Sequence, residues 1–211
     1  MSAPDGRGPP QRLVFATRNR GKLRELVRLL QIEGVALLSL EDLPGVPEVE
    51  ERGMTFAANA ITKARAVAQA TGLPALADDS GLEVDALGGA PGVHSARYAG
   101  AGASDADRIA LLLKNLASLP AERRTARFRC AVAFVDPRRP EQPILHEASC
   151  EGRILERPRG EGGFGYDPVF HIEELGKTLA EVDPETKNRL SHRGKAMRKM
   201  AAELRAILGR R

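Results

Sequence analysis

Two adjacent carboxylates, Asp78 and Asp79, follow the apolar run in "LPALADDSGLEVDALGGAPG" (Leu73 to Gly92), and Ser80 and Gly81 come directly after them. By composition DDSG reads first as a surface turn, because Asp and Ser side chains cap backbone groups and glycine accepts positive φ. In an extended segment, however, successive residues point to opposite faces. One carboxylate would then line a cleft while the other braced the loop. Open α/β sheets hold ligands at the carboxyl ends of their strands, and Ala75 to Ala77 reads as a short strand ending at this pair. Residues elsewhere have to decide between the two readings.

Four other segments carry chemistry. In "FATRNRGKLRE" (Phe15 to Glu25) an apolar strand enters a polar loop and then a helix, whose free N–H groups and dipole favour phosphate. Thr17 and Asn19 add hydrogen-bond donors there, Arg18, Arg20 and Lys22 add positive charge, and Gly21 permits close backbone approach. The spacing misses a P-loop, since Ala16 stands at the first glycine position and Leu23 at the metal-binding Ser/Thr position. In "EVEERGMTFAANAITKARA" (Glu48 to Ala66), Glu50 and Glu51 precede a helix, where acids also stabilise its positive end. Lys63 shares the apolar stripe of Phe56, Ala60, Ala64 and Val67, so it either snorkels or meets an anion. "GEGGFGYDPVF" (Gly160 to Phe170) displays a scarce aromatic, Phe164, among four glycines, with Gly165, Tyr166 and Asp167 beside it. Such a loop is either structural or a stacking surface for a planar ligand. "KNRLSHRGKAM" (Lys187 to Met197) gathers Lys187, His192 and Arg193 at the start of the last helix, where cations oppose the dipole and an anionic or carbonyl-bearing ligand would account for them.

These segments need a scaffold, and periodicity supplies one. "RLVFAT" (Arg12 to Thr17) is expected as a buried strand. A helix follows from Lys22 to Leu30, with Leu23, Leu26, Val27 and Leu30 on one face. Thr55 to Thr71 and Asp105 to Leu116 are further helices, the first ended by Gly72 and Pro74. "ARFRCAVAFVD" alternates, with Phe128, Cys130, Val132 and Phe134 on one face, and pairs with Ile144 to Glu151 across "DPRRPEQP". Ser191 caps a helix to about Leu208 that carries Ala196, Met200, Leu204 and Leu208 at helical spacing. The class is mixed α/β.

The chain has 211 residues, long enough for a real core. Met1 to about Gln11, polar and rich in Gly and Pro, reads as a disordered tail without a secretory signal, ahead of one domain from Arg12 to Arg211. No apolar run reaches the ~20 residues that span a bilayer. Cys130 and Cys150 suit buried thiols in a reducing compartment, and the cytoplasm is expected. The net charge of +4 suits an anionic ligand, yet the charge is too dispersed to indicate nucleic acid.

"ATRNRGK", "EERGMTFAANAITKA", "ADDSGLEVDALGGAPGVHSARYAG", "GGFGYDPVF" and "LSHRGKAM" together resemble the inosine/xanthosine triphosphate pyrophosphatases, in family order from about Leu13 to Leu208. The resemblance implies an elongated mixed sheet flanked by helices, two lobes with the active-site cleft between them, and a homodimer. It implies hydrolysis of non-standard purine nucleoside triphosphates (ITP, dITP, XTP) to the monophosphate and pyrophosphate with Mg²⁺. By the same resemblance, Thr17, Arg18, Asn19, Arg20, Gly21 and Lys22 hold the triphosphate and Lys63 reaches the same phosphates. Glu50 and Asp79 hold the metal, with Glu51 a weaker match. Asp79 is either the proton acceptor for the attacking water or, since a metal-bound carboxylate is a poor base, the group that orients a metal-bound hydroxide. Ser80 touches substrate, and Asp78 supports the loop or a second metal. Phe164, Gly165, Tyr166 and Asp167 form the purine-binding segment, while Lys187, His192 and Arg193 read the 6-oxo edge.

Two other classes remain in view. A related pyrophosphatase would prefer other modified or pyrimidine nucleotides. A basic nucleic-acid-binding module would show no triphosphate turnover and a steep salt dependence, but the acidic DDSG and EVEE segments oppose it. No G-x-G-x-x-G follows a strand, which argues against a nucleotide-dependent oxidoreductase.

Overall fold

The computed structural model describes residues 10–46 and 49–208, and of Arg20 the backbone only. The expected tail up to residue 9, Glu48, the side chain of Arg20 and the last three residues lie outside the described residues. Gln11, expected in the tail, already pairs with Val35.

Seven strands form one sheet in the order β2-β1-β3-β4-β5-β6-β7. They are β1 (Gln11–Phe15), β2 (Val35–Ser39), β3 (Ala75–Val84), β4 (Thr125–Val135), β5 (Ile144–Ile154), β6 (Phe170–Ile172) and β7 (Lys177–Thr178). β1 is parallel to β2 and β3, and the remaining pairs are antiparallel. Leu13, Val14 and Phe15 are fully buried, as expected of an inner parallel strand covered on both faces. The β4–β5 hairpin pairs from Thr125 with Arg153 to Phe134 with Ile144.

Five α-helices stand among the described residues: α1 (Arg20–Leu29), α2 (Phe56–Thr71), α3 (Asp105–Asn115), α4 (Pro184–Leu190) and α5 (His192–Leu208). Local sequence sets their ends. Asn19 caps α1 by accepting the Gly21 and Lys22 N–H groups, Thr55 caps α2, and Gly72 closes α2 with φ at 66°. On α1 Leu26 and Leu30 are buried, but Val27 is half exposed, because the helix rests on the sheet through a narrower stripe than expected.

α2 lies on one face of β3 and β4, where its Ala60, Ala64 and Ala68 meet Ala75, Ala77, Ala131 and Ala133. Small residues on both sides bring the helix close. α1 and α5 cover the opposite face, with Met197, Met200 and Leu204 packed against Leu76, Val132 and Phe134. A third cluster, from Leu82 and Val84 across Phe128 to Phe170, packs under α3. β3 runs through all three clusters, and its segment from Asp78 to Gly81 lies where one gives way to the next.

Gly81 has no room for a side chain. A Cβ there would fall inside van der Waals contact of the Gly92 carbonyl oxygen and Ser95 Oγ, with the Phe56 ring at 3.0 Å. Ser95 Oγ also accepts the Leu82 N–H at 2.9 Å, so the turn over 92–97 docks directly on β3. Gly81→Ala is expected to cost about 1–3 kcal/mol of stability by overpacking, seen in urea unfolding as a lower midpoint with an unchanged slope.

Candidate active site

Asp78 and Asp79 do not stand at a strand end. β3 continues through them to Val84, pairing Asp78 with Val132 and Asp79 with Ala131 on β4. Both are buried, at 1% and 5% exposure. The turn reading fails because Asp78 finds Lys22 and Arg193 and Asp79 finds Lys63, Asn59 and the Ser80 N–H, and these replace the water that a turn would have supplied.

On the α1/α5 face, Asp78 Oδ2 lies 3.1 Å from Lys22 Nζ and accepts a hydrogen bond from Arg193 Nε at 3.1 Å. These cations overcome burial and hold the Asp78 carboxyl well below the usual carboxylate range. Arg193 also donates to Glu25 Oε2 at 2.6 Å and to Ser80 Oγ at 2.8 Å. Glu25 turns its other oxygen to Lys187 Nζ at 2.8 Å, and Lys187 reaches Asp167 Oδ2 at 2.7 Å. Burial tends to raise the Glu25 pKa, but Arg193 and Lys187 together bring it below the usual value.

On the α2 face, Lys63 Nζ contacts Glu51 Oε1 at 2.6 Å, the Asp78 carbonyl oxygen at 2.7 Å and Asp79 Oδ1 at 3.7 Å. Lys63 is buried and meets anions rather than snorkelling, and its pKa is raised because Asp79, Asp78 and Glu51 outweigh desolvation. Asp79 is oriented by Asn59, which donates to Oδ2 at 2.8 Å, and by the Ser80 N–H, which donates to Oδ1 at 2.9 Å. Burial and the nearby Glu51 push the Asp79 pKa up despite Lys63. Of the two glutamates before α2 it is Glu51, with its side chain 29% exposed, that turns inward. Glu50, with its side chain 69% exposed, pairs outward with Arg52. The geometry thus turns toward Asp79 the glutamate that the motif matched less well.

Further along, Lys187 Nζ lies 4.6 Å from the Phe164 ring centre and the Arg193 guanidinium carbon 5.5 Å from it. The ring rests against Gly21, where a Cβ would come within 3.0 Å of it. Asp167 anchors the loop by accepting the Phe164 N–H at 2.9 Å. Tyr166 donates its hydroxyl hydrogen to the Ser95 carbonyl oxygen at 2.9 Å, so it braces the loop from behind. His192 is buried and stacks on Phe128 with ring centres 4.7 Å apart. Desolvation, Arg193 and Lys187 hold its pKa well below 6.5, leaving a neutral imidazole whose Nδ1 has no partner among the described residues.

Thr17, Arg18, Asn19, Lys22, Lys63, Asp79, Ser80, Phe164, Gly165, Tyr166, Asp167, Lys187, His192 and Arg193 all line one cavity of about 350 Å³, together with Glu51. Gly21 sits behind it, and Glu50 points away. Asn19 spends its side-chain oxygen on the α1 cap, and Arg18 donates to the Val46 carbonyl oxygen. Lys187, expected at the start of the last helix, belongs to the separate short helix α4. Asp183 caps that helix, Pro184 opens it, and Ser191 joins it to α5. Glu25, Asn59, Ser95 and Asp105 escaped the sequence reading. Asp105 and Asn59 look like ordinary helix polar residues, and Glu25 meets a partner 168 residues away.

A mixed sheet whose central strand turns one carboxylate to each face, under lysines and arginines from four helices, defines an α/β protein built to hold an extended anion. The family model of the Ham1 family matches residues 13–203. A dITP/XTP pyrophosphatase of Geobacillus kaustophilus is 54% identical over 93% of this chain and 96% of its own length. One of Methylococcus capsulatus is 53% identical over 94% and 98%. The structure of a HAM1 protein from Coxiella burnetii superposes with a TM-score of 0.86 at 43% identity, covering 93% of this chain and 99% of that one. The Staphylococcus aureus Ham1 protein gives 0.83 at 36%, over 93% and 100%. The chain belongs to the Ham1 family.

Asp78→Asn is expected to cost about 3 kcal/mol near neutral pH, because it leaves the buried Arg193 and the partly buried Lys22 beside a neutral group. The native carboxyl is depressed below its ordinary 3.8, so its contribution is complete above that value and is lost as pH falls below it. Denaturant unfolding of both proteins should show a stability gap that is constant from pH 7 to about 5 and narrows below 3.8.

Proposed function

We propose that the protein hydrolyses non-standard purine nucleoside triphosphates (ITP, dITP and XTP) to the monophosphate and pyrophosphate. One observation carries the reading: a single cavity joins Lys22, Lys63 and the α1 N-terminus to Phe164, Lys187 and Arg193. The first group suits a chain of phosphates and the second a flat, carbonyl-bearing base. The names of the Geobacillus and Methylococcus relatives support the same substrate class.

The division of labour follows from the geometry. Cleavage of a phosphoanhydride needs charge neutralisation and alignment more than covalent help. Lys22 and Lys63 offer the charge, and the Thr17 to Lys22 loop aligns the phosphates. Asp79, held by Asn59 and the Ser80 N–H, orients the attacking water; free of metal it would take the water's proton, whereas a metal-bound carboxylate is a poor base. At the other end Arg193 and Lys187 donate toward a purine O6. Adenine presents an amino group there and would leave these buried donors unpaired, so ATP is rejected. Phe164 stacks on the ring.

Among the described residues no three His, Cys, Asp or Glu side chains gather as a metal site. Glu51 and Asp79, both within reach of Lys63, nevertheless fit Mg²⁺, which is usually held by one or two carboxylates together with substrate phosphates. Bound there, Mg²⁺ would neutralise the phosphate oxygens. Glu51 replaces Glu50 in this assignment because it is the one that faces Asp79.

The family resemblance further supports a single domain of two lobes acting as a homodimer, while the two buried thiols suit a cytoplasmic setting and the dispersed charge gives no support to a stable nucleic-acid partner. Among the described residues no helix is long and apolar enough to cross a membrane.

A nucleotide panel with Mg²⁺ tests the function: ITP, dITP and XTP should release pyrophosphate and no orthophosphate, while ATP is spared. Turnover confined to pyrimidine nucleotides, or orthophosphate as the first product, would refute it. Asp79→Asn should lose roughly 10²–10⁴-fold in kcat while keeping the wild-type circular dichroism, and undiminished turnover would remove Asp79 from the reaction.

A further inference from the structure

We propose that Asp105 is a positioning residue that sets the Phe164–Gly165 peptide, and through it the ring on which the planar base stacks; this rests on the reading of that end of the cleft as the base site. Asp105 is the first residue of α3, and its Oδ2 accepts the Gly165 N–H at 2.6 Å. Its other oxygen is held by Arg108, which also donates to the Ala96 carbonyl oxygen. The carbonyl of the same Phe164–Gly165 peptide accepts the Asp167 N–H at 3.3 Å. Both polar ends of one peptide plane are thus engaged, the N–H from α3 and the C=O from the loop's own turn.

The plane needs such a tether. Gly165 has φ at 63° and open space where a Cβ would stand, so no side chain of its own restrains its rotation. Of the other anchors, Tyr166 acts one residue further on through the Ser95 carbonyl, and Asp167 Oδ2 holds the preceding Gly163–Phe164 peptide through the Phe164 N–H, so neither touches the Gly165 N–H. A turn of this plane would carry with it the Phe164 ring, which lies against Gly21 and near Lys187 and Arg193. Stabilising α3 does not account for the arrangement. Ser104 and Asp107 already form a reciprocal capping box at that helix start, while Asp105, paired with Arg108 through one oxygen, gives the other to the loop and lines the cavity.

The test compares Asp105→Ala and Asp105→Asn with wild type in three measurements: ITP kinetics, inhibition by inorganic tripolyphosphate, and hydrogen exchange of the Gly165 amide. Removing a hydrogen bond to a charged acceptor should raise the KM for ITP roughly ten- to a hundredfold in Asp105→Ala, with kcat close to wild type. The tripolyphosphate inhibition constant should stay unchanged, because that ligand does not reach Phe164. The Gly165 amide should exchange faster. Asp105→Asn, which keeps an oxygen acceptor, should recover most of the lost affinity. An unchanged KM in Asp105→Ala, an equal loss of tripolyphosphate binding, or no recovery in Asp105→Asn would overturn the proposal. A wild-type protein that turns over no nucleotide would refute the function above, and the tether would then stand or fall on the exchange of the Gly165 amide alone.

Discussion

A carboxylate at 1% exposure between Lys22 of α1 and Arg193 of α5 is the contact on which the cleft is assembled. Alone, either cation or the anion would be expensive to bury, and the three are tolerable only together. The central strand therefore cannot take its place in the core unless both helices do. Arg193 extends the tie to Glu25, and Glu25 extends it to Lys187 on α4. Elements distant in sequence are thereby fixed around one point by charge, where apolar packing alone would leave their side chains free to shift. The backbone of Asp78 adds to this, since its carbonyl oxygen accepts Lys63 from α2 on the other side of the sheet.

The same network leaves the two ends of the cleft differently prepared. Arg193 bonds three side chains at once and Lys187 two, so their directions are set before any ligand arrives. Donors fixed in this way reward a base that matches them and penalise one that does not. Among the described residues Lys22 has one ion-pair partner, Asp78, and the helix start beside it is capped by an asparagine oxygen. That end is suited to phosphates, whose charge is recognised with less directional demand than an O6 edge.

The chemistry-bearing residues were legible because their types conflict with their settings. Lys63 lies on an apolar stripe, and Arg193 stands at the start of α5, where a helix dipole disfavours cations. In sequence Lys187 shares that conflict, but it falls in the last turn of α4, where the dipole favours it. Composition places the Asp pair at the end of a strand because it reports what a segment prefers in water, whereas Lys22, Lys63 and Arg193 from other elements decide what it does here. β4 shows a related limit. Cys130, Val132 and Phe134 alternate with Ala131, Ala133 and Val135, and both sets are buried. The alternation there is one of size, fitting the bulky α5 face against the close-packed α2 face, and polarity patterns do not register it. The short strands β2, β6 and β7 were missed altogether, as the last two carry only a few residues each.

Residues that act by holding others were the least visible. Glu25 stands three positions from Lys22 on α1 and looks like half of a surface ion pair, yet it holds Lys187 and Arg193. Asn59 sits in an alanine-rich helix with no sign that its amide would link Asp79 to the Gly53 N–H. Such residues are ordinary in type and local setting, and their roles exist only once β3 has brought Asp78 and Asp79 between α1, α2 and α5. Reading them requires the fold first, because what distinguishes Glu25 from Glu50 is the partner each one finds after the chain has closed.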